Sequence, residues 1–126
     1  MIDHASIAVR DLVGCARFYE AVLAPLGYAK LVTRPKTIGF GKKYPEFWLN
    51  ERRSVTPVDS DSGTHICLRA RDANAVEAFH AAAIKAGGAS DGEPGPRSGE
   101  IKGYYAAFIR DPEGNRIEAA TFSADS

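Results

Sequence analysis

Three side chains in this 126-residue sequence have the types and spacing for joint chemistry: His4, His65 and Glu118. A shift of 61 positions lays Asp3 to Asp11 over Thr64 to Asp72, with His4 on His65, Arg10 on Arg71 and Asp11 on Asp72. The same shift puts Phe18 on Phe79 and Gly27 on Gly88. Alternation along a strand puts His4, Ser6 and Ala8 on one face, His65, Cys67 and Arg69 on one face, and Arg116, Glu118 and Ala120 on one face. A pseudo-twofold packing of the two halves makes the two histidines equivalent. Two imidazoles and a carboxylate with open positions form a facial triad, suited to divalent Fe, Mn, Ni, Co or Zn. A lone histidine on a strand is usually structural. Repeat-equivalent placement, with Ile, Val and Leu on the opposite face, argues for more here. His80 lacks that support and is expected to be structural or exposed. Cys67 shares the face of His65, and reads either as a pocket residue or as a small buried apolar one.

The elements that must position these groups are legible. A repeat of about 60 residues exceeds the roughly 20–50 of a solenoid unit, so two modules packed as one domain are expected. Module one covers about residues 1–58 and module two about 63–122. Residues 2–9 alternate and are β-rich. Asp11 suits a helix N-cap, Ala16, Tyr19, Val22, Leu23 and Leu26 recur at helical spacing, and Pro25 with Gly27 ends the helix. Strands follow at Tyr28 to Thr33, Lys36 to Phe40 and Glu46 to Asn50. Glu51 to Gly63 reads as a linker. Thr64 to Ala70 is the next strand, and Asp72 caps a second helix that stops at Gly87-Gly88. Ala89 to Gly103 is rich in Gly and Pro. It reads as a long loop with at most a short strand near Ala89, and, carrying Arg97 and Lys102, as a lid. Tyr104 to Arg110 and Asn115 to Thr121 are strands joined by the turn Asp111-Pro112-Glu113-Gly114. Each module is therefore βαβββ. The fold class is α+β, a cupped mixed sheet with flanking helices.

Composition narrows the function. The chain is 44% apolar and 25% charged, with zero formal net charge. Its basic residues are scattered, which argues against a nucleic-acid or membrane-surface partner. No apolar run approaches the roughly 18 residues of a membrane span, and no secretory signal is visible. Cys15 and Cys67 make no disulfide framework, so reduced thiols and a cytoplasmic location are expected.

Three stretches make the resemblance specific: Ile2-Asp3-His4 through Val22-Leu23-Ala24-Pro25-Leu26-Gly27-Tyr28, then Gly63-Thr64-His65-Ile66, then Tyr104 through Glu118. Across essentially its whole length the chain resembles the vicinal oxygen chelate superfamily, the glyoxalase, bleomycin-resistance and extradiol-dioxygenase group. The resemblance implies a divalent metal held by His4, His65 and Glu118, and a homodimer. Glyoxalase-type lyases place Glu or Gln on the last strand of module one. Trp48 stands there, with Glu46 and Asn50 two residues away on its face. Ser6, Trp48, Cys67, Tyr104 and Tyr105 are the expected pocket residues; no catalytic base is assigned. The expected function is a metal-dependent enzyme of lyase, isomerase, dioxygenase or thiol-transfer type, acting on a small substrate with two oxygen donors. The alternative is a non-catalytic protein that binds or sequesters a small molecule, as bleomycin-resistance members do.

Overall fold

The computed structural model describes residues 1–59, 61–99 and 101–122. Module one runs β1 (Ala5–Val9), α1 (Leu12–Leu23), a 3-10 turn (Ala24–Leu26), β2 (Ala29–Thr33), β3 (Thr37–Gly41) and β4 (Pro45–Glu51). Module two runs β5 (Ile66–Arg69), α2 (Ala73–Lys85), β6 (Ala89–Pro96), β7 (Tyr105–Arg110) and β8 (Arg116–Thr121). Each module is one four-stranded mixed sheet, ordered β1-β4-β3-β2 and β5-β8-β7-β6. In each, the first strand runs parallel to the last and the other pairs are antiparallel. This is the βαβββ pair that the repeat predicts.

Local chemistry sets the helix ends. The Asp11 carboxylate accepts from Gly14 N at 3.0 Å, and Asp72 accepts from Ala75 N at 2.9 Å. Each satisfies a helical donor that has no partner within its own helix. Pro25 starts the 3-10 turn, and Gly27, at φ 85°, reverses the chain into β2.

Two expectations shift. Both histidines stand immediately before their strands, because ladder pairing begins at Ala5 with Phe47 and at Ile66 with Ile117. The stretch expected as loop from Ala89 is an eight-residue strand to Pro96. β7 needs partners on its outer edge, and an edge strand tolerates Pro94 and Pro96 because their missing N–H groups can face away from the ladder. Register shifts at Ser90/Gly92 and Gly92/Gly95 absorb the irregular composition. Among the described residues, 97–99 and 101–104 lie between β6 and β7.

One buried cluster spans both modules. It joins Phe18, Tyr19 and Val22 of α1 and Phe40, Phe47 and Leu49 of its sheet to Val76 and Phe79 of α2 and Ile109 and Ile117 of the other sheet. The turn after β7 then clasps module one. Tyr19 donates to Asp111 Oδ2 at 2.7 Å, and Glu113 accepts from the N–H groups of Arg10 and Asp11 at 2.7 and 2.8 Å. β1 and β5 are the edges of their sheets nearest each other: Ile7 and Ile66 line one cavity of about 270 Å³. No described helix is long and apolar enough to cross a membrane.

Candidate functional site

Register decides which groups meet. In module two Cys67 lies beside Glu118 across β5 and β8, and Phe108 lies beside Glu118 across β7 and β8. In module one the equivalent pair is Ser6 and Trp48, with Gly39 on the other side. Ile117 and Ala119 point from β8 into the core beneath the helices. Glu118 points to the opposite face, yet is only 3% exposed.

A buried carboxylate needs donors, and two side chains meet Glu118. His65 Nε2 lies 3.0 Å from Oε1 and the Tyr104 hydroxyl donates to Oε2, while Cys67 is its cross-strand neighbour. The neighbours respond. Burial first, then the charge and hydrogen bond of Glu118, push the Cys67 thiol up to about 12, against an opposing pull from Arg69. The hydrogen bond to Glu118 first, then burial and its charge, push the Tyr104 phenol up to about 12, against Arg97. Both groups therefore stay protonated near neutral pH.

His4 stands apart from this cluster. Its Nδ1 lies 2.8 Å from Asp3 Oδ1 and its side chain is 53% exposed. His4 and His65 nevertheless line one cavity of about 390 Å³, together with Tyr28, Glu46 and Cys67. Among the described residues, no three His, Cys, Asp or Glu side chains sit close enough to grip one metal ion together. Two of the expected ligands do approach each other. Ligand atoms each about 2.1 Å from a metal and at right angles to each other lie about 3 Å apart, and His65 Nε2 and Glu118 Oε1 are 3.0 Å apart. The Asp3 contact is made through His4 Nδ1.

The other expected residues divide. Ser6 and Cys67 are solvent-accessible. Trp48 is half-buried, with the Arg34 guanidinium 5.5 Å from its ring centroid. Its ring packs so tightly on Gly39 that a Cβ there would lie 2.9 Å from it. The structure separates the two tyrosines: Tyr104 reaches Glu118, whereas Tyr105 donates to Glu77 on α2 at 2.6 Å, on the helix side. His80 is 7% exposed, with Nε2 2.9 Å from Ser90 Oγ, a structural contact. Sequence reasoning passed over Tyr28, Phe108 and Phe122. Phe108 could have been found by alternation, since it shares a face with Tyr104 across β7.

A family model described as the Glyoxalase/Bleomycin resistance protein/Dioxygenase superfamily matches residues 1–119. Among solved structures, a glyoxalase/bleomycin resistance protein from Albidiferax ferrireducens T118 is 31% identical, with 94% of this chain and 97% of that one covered and a TM-score of 0.84. A lactoylglutathione lyase from Agrobacterium tumefaciens is 19% identical over 98% and 94% of the two chains, TM-score 0.68. The fosfomycin resistance protein FosX from Mesorhizobium loti is 18% identical over 96% and 91%, TM-score 0.69. At these identities the last two show a shared fold. No curated protein matches the sequence.

Proposed function

Because the chain belongs to the glyoxalase/bleomycin resistance protein/dioxygenase superfamily, we propose that it is a divalent-metal-dependent enzyme acting on a small substrate with two oxygen donors. His65 and Glu118 hold the metal, and His4 completes the set from the far wall of the shared cavity. The observation that carries this reading is the 3.0 Å approach of His65 Nε2 to the buried Glu118 carboxylate. When bound, the metal supplies Lewis acidity, which stabilises developing negative charge on a substrate oxygen. Tyr104 holds a proton on its hydroxyl and steadies the Glu118 oxygen opposite His65. Cys67 borders the cavity that His4 and His65 share, and Asp3 orients His4. The reaction is of lyase, isomerase, dioxygenase or thiol-transfer type, and the working form is a homodimer, which sedimentation equilibrium tests.

The test is metal content, by elemental mass spectrometry on protein purified without an affinity tag or chelator, beside His65→Ala. Near-stoichiometric Fe, Mn, Ni, Co or Zn that disappears in the variant supports the reading. A metal-free protein that also resists reconstitution overturns it.

One observation favours a second reading. Trp48, at the position equivalent to Glu118, gives module one an aromatic wall in place of a ligand. Such a wall suits a protein that sequesters a flat or apolar molecule without chemistry. Saturable ligand binding in metal-free protein, lost in Trp48→Ala, would support it.

A further inference from the structure

Module one gathers three cations at the end of its sheet farthest from His4. β1 and β4 run parallel, so His4 stands before one end and Arg52 follows the other, its N–H donating to Val9 O at 2.8 Å. The length of the five-residue β1 separates them, roughly 16 Å at about 3.3 Å per residue. Lys36, Glu51, Arg52, Arg53 and Ser54 line an open hollow of about 480 Å³ there. It shares no lining residue with the 390 Å³ cavity of His4 and His65.

The backbone around this hollow is fixed. Glu51 N donates to Lys36 O at 2.8 Å, where β3 begins against the end of β4, and Val55 N donates to Arg52 O at 3.2 Å, which turns the chain. The Arg52 guanidinium is tied down as well, its Nη1 donating to Glu51 O at 2.7 Å.

The charges there do not balance. Glu51 is the one carboxylate among the lining residues, and Arg53 Nη2 meets its Oε2 at 3.4 Å. Lys36 and Arg52 have no ion pair among the described residues. Asp59 and Asp61 of the linker do not line the hollow. Two other arginines of module one are engaged elsewhere, Arg10 with Glu113 at 3.7 Å and Arg34 over the Trp48 ring. Three cations therefore face one carboxylate. Like charges gathered around one hollow repel, and an anion seated among them relieves that repulsion.

Nor does the fold impose these cations. In the register that makes Trp48 equivalent to Glu118, Glu51 matches Thr121, Arg52 matches Phe122 and Lys36 matches Tyr105. Module two repeats the backbone and carries no charge at the matched places. The chemistry of the three cations suits phosphate oxygens: the arginine forks bind them in pairs, lysine acts as a point charge, and the Ser54 hydroxyl adds a neutral donor.

We propose that this hollow binds the phosphate group of a small soluble anion through Lys36, Arg52 and Arg53, at a site separate from the His65 and Glu118 pocket. The recess between strand ends is local, unlike the extended basic surface that a membrane or nucleic acid requires. The site stands whether or not a metal binds at His65.

The test is calorimetric titration of the full chain with inorganic pyrophosphate at low salt. Saturable binding is expected, weakening as salt rises. Arg52→Gln should weaken it about tenfold, the loss of a charge-assisted hydrogen bond, and Lys36→Gln about threefold. Lys85→Gln, at the end of α2, lowers the net charge equally and should bind as wild type. His65→Ala should also bind as wild type, since pyrophosphate held by a metal would be lost there instead. Lys36 is exposed, so Lys36→Gln probes the hollow without disturbing the fold if Arg52→Gln melts early. No saturable binding to the wild type, an equal loss in Lys85→Gln, or a loss in His65→Ala with both hollow variants unchanged overturns the proposal.

Discussion

Trp48 and Glu118 occupy the same place in the two halves of the molecule. Trp48 pairs with Ser6 across β1 and β4 as Glu118 pairs with Cys67 across β5 and β8. Ser6 and Cys67 in turn follow His4 and His65 by two residues. The pseudo-twofold is kept in the backbone and broken in the chemistry: one half offers a carboxylate met by His65 and Tyr104, the other an indole under Arg34.

His4 is oriented through Asp3, so Asp3→Asn should weaken metal binding without removing a ligand. Loss of an orienting carboxylate typically costs 10–100-fold in metal affinity. The pair is exposed, so a drop of about tenfold is expected in zinc competition titrations. Unchanged affinity would remove His4 from the ligand set.

Cys67 is exposed as a residue, yet its thiol is pushed up to about 12 by burial and by Glu118. The thiolate is the reactive form, so alkylation at pH 8 should be much slower than for a free thiol. Glu118→Gln removes the negative charge that opposes thiolate formation. It should speed iodoacetamide labelling about tenfold, a shift of roughly one pH unit. Cys67→Ser controls for labelling at Cys15. Fast labelling of the wild type would contradict the Cys67–Glu118 contact.

Tyr19 is fully buried, and its hydroxyl donates to the buried Asp111 at 2.7 Å. A buried hydrogen bond to a charged group is worth about 1.5–3 kcal/mol. Tyr19→Phe should therefore lower unfolding stability by about 2 kcal/mol in urea, with an unchanged m-value. A loss below about 0.5 kcal/mol, the scale of a surface substitution, would show that the clasp between modules contributes little.

Glu113 sets part of the acid limit. Partial burial works to raise its carboxyl, but the N–H groups of Arg10 and Asp11, the Cys15 thiol and the Arg10 charge outweigh it and hold it below the ordinary 4.5. The folded state then binds fewer protons than the unfolded state. Its contribution is present above about pH 4.5 and is lost as pH falls through the lower folded value. Glu113→Gln should cost about 1 kcal/mol at neutral pH and flatten the stability profile below pH 4.5. An equally steep acid limb in the variant would place the acid sensitivity elsewhere.

The sequence by itself determined the two-module architecture. The 61-residue repeat, the caps at Asp11 and Asp72, the stop at Gly27 and the Asp111 to Gly114 turn are local signals, and local backbone chemistry obeys them. It also put Cys67 with His65 on one face of its strand and Glu118 with Arg116 on one face of another, because alternation along a strand is geometric. Only the tertiary structure decided the rest. β6 forms because β7 offers an open edge, which no window around Ala89 reveals. Tyr104 reaches Glu118 while Tyr105 turns to Glu77, since adjacent strand residues face opposite ways and register alone says which face is which. His4 lies against Asp3, apart from the Glu118 cluster, whereas His65, at the matching place before its own strand, reaches Glu118.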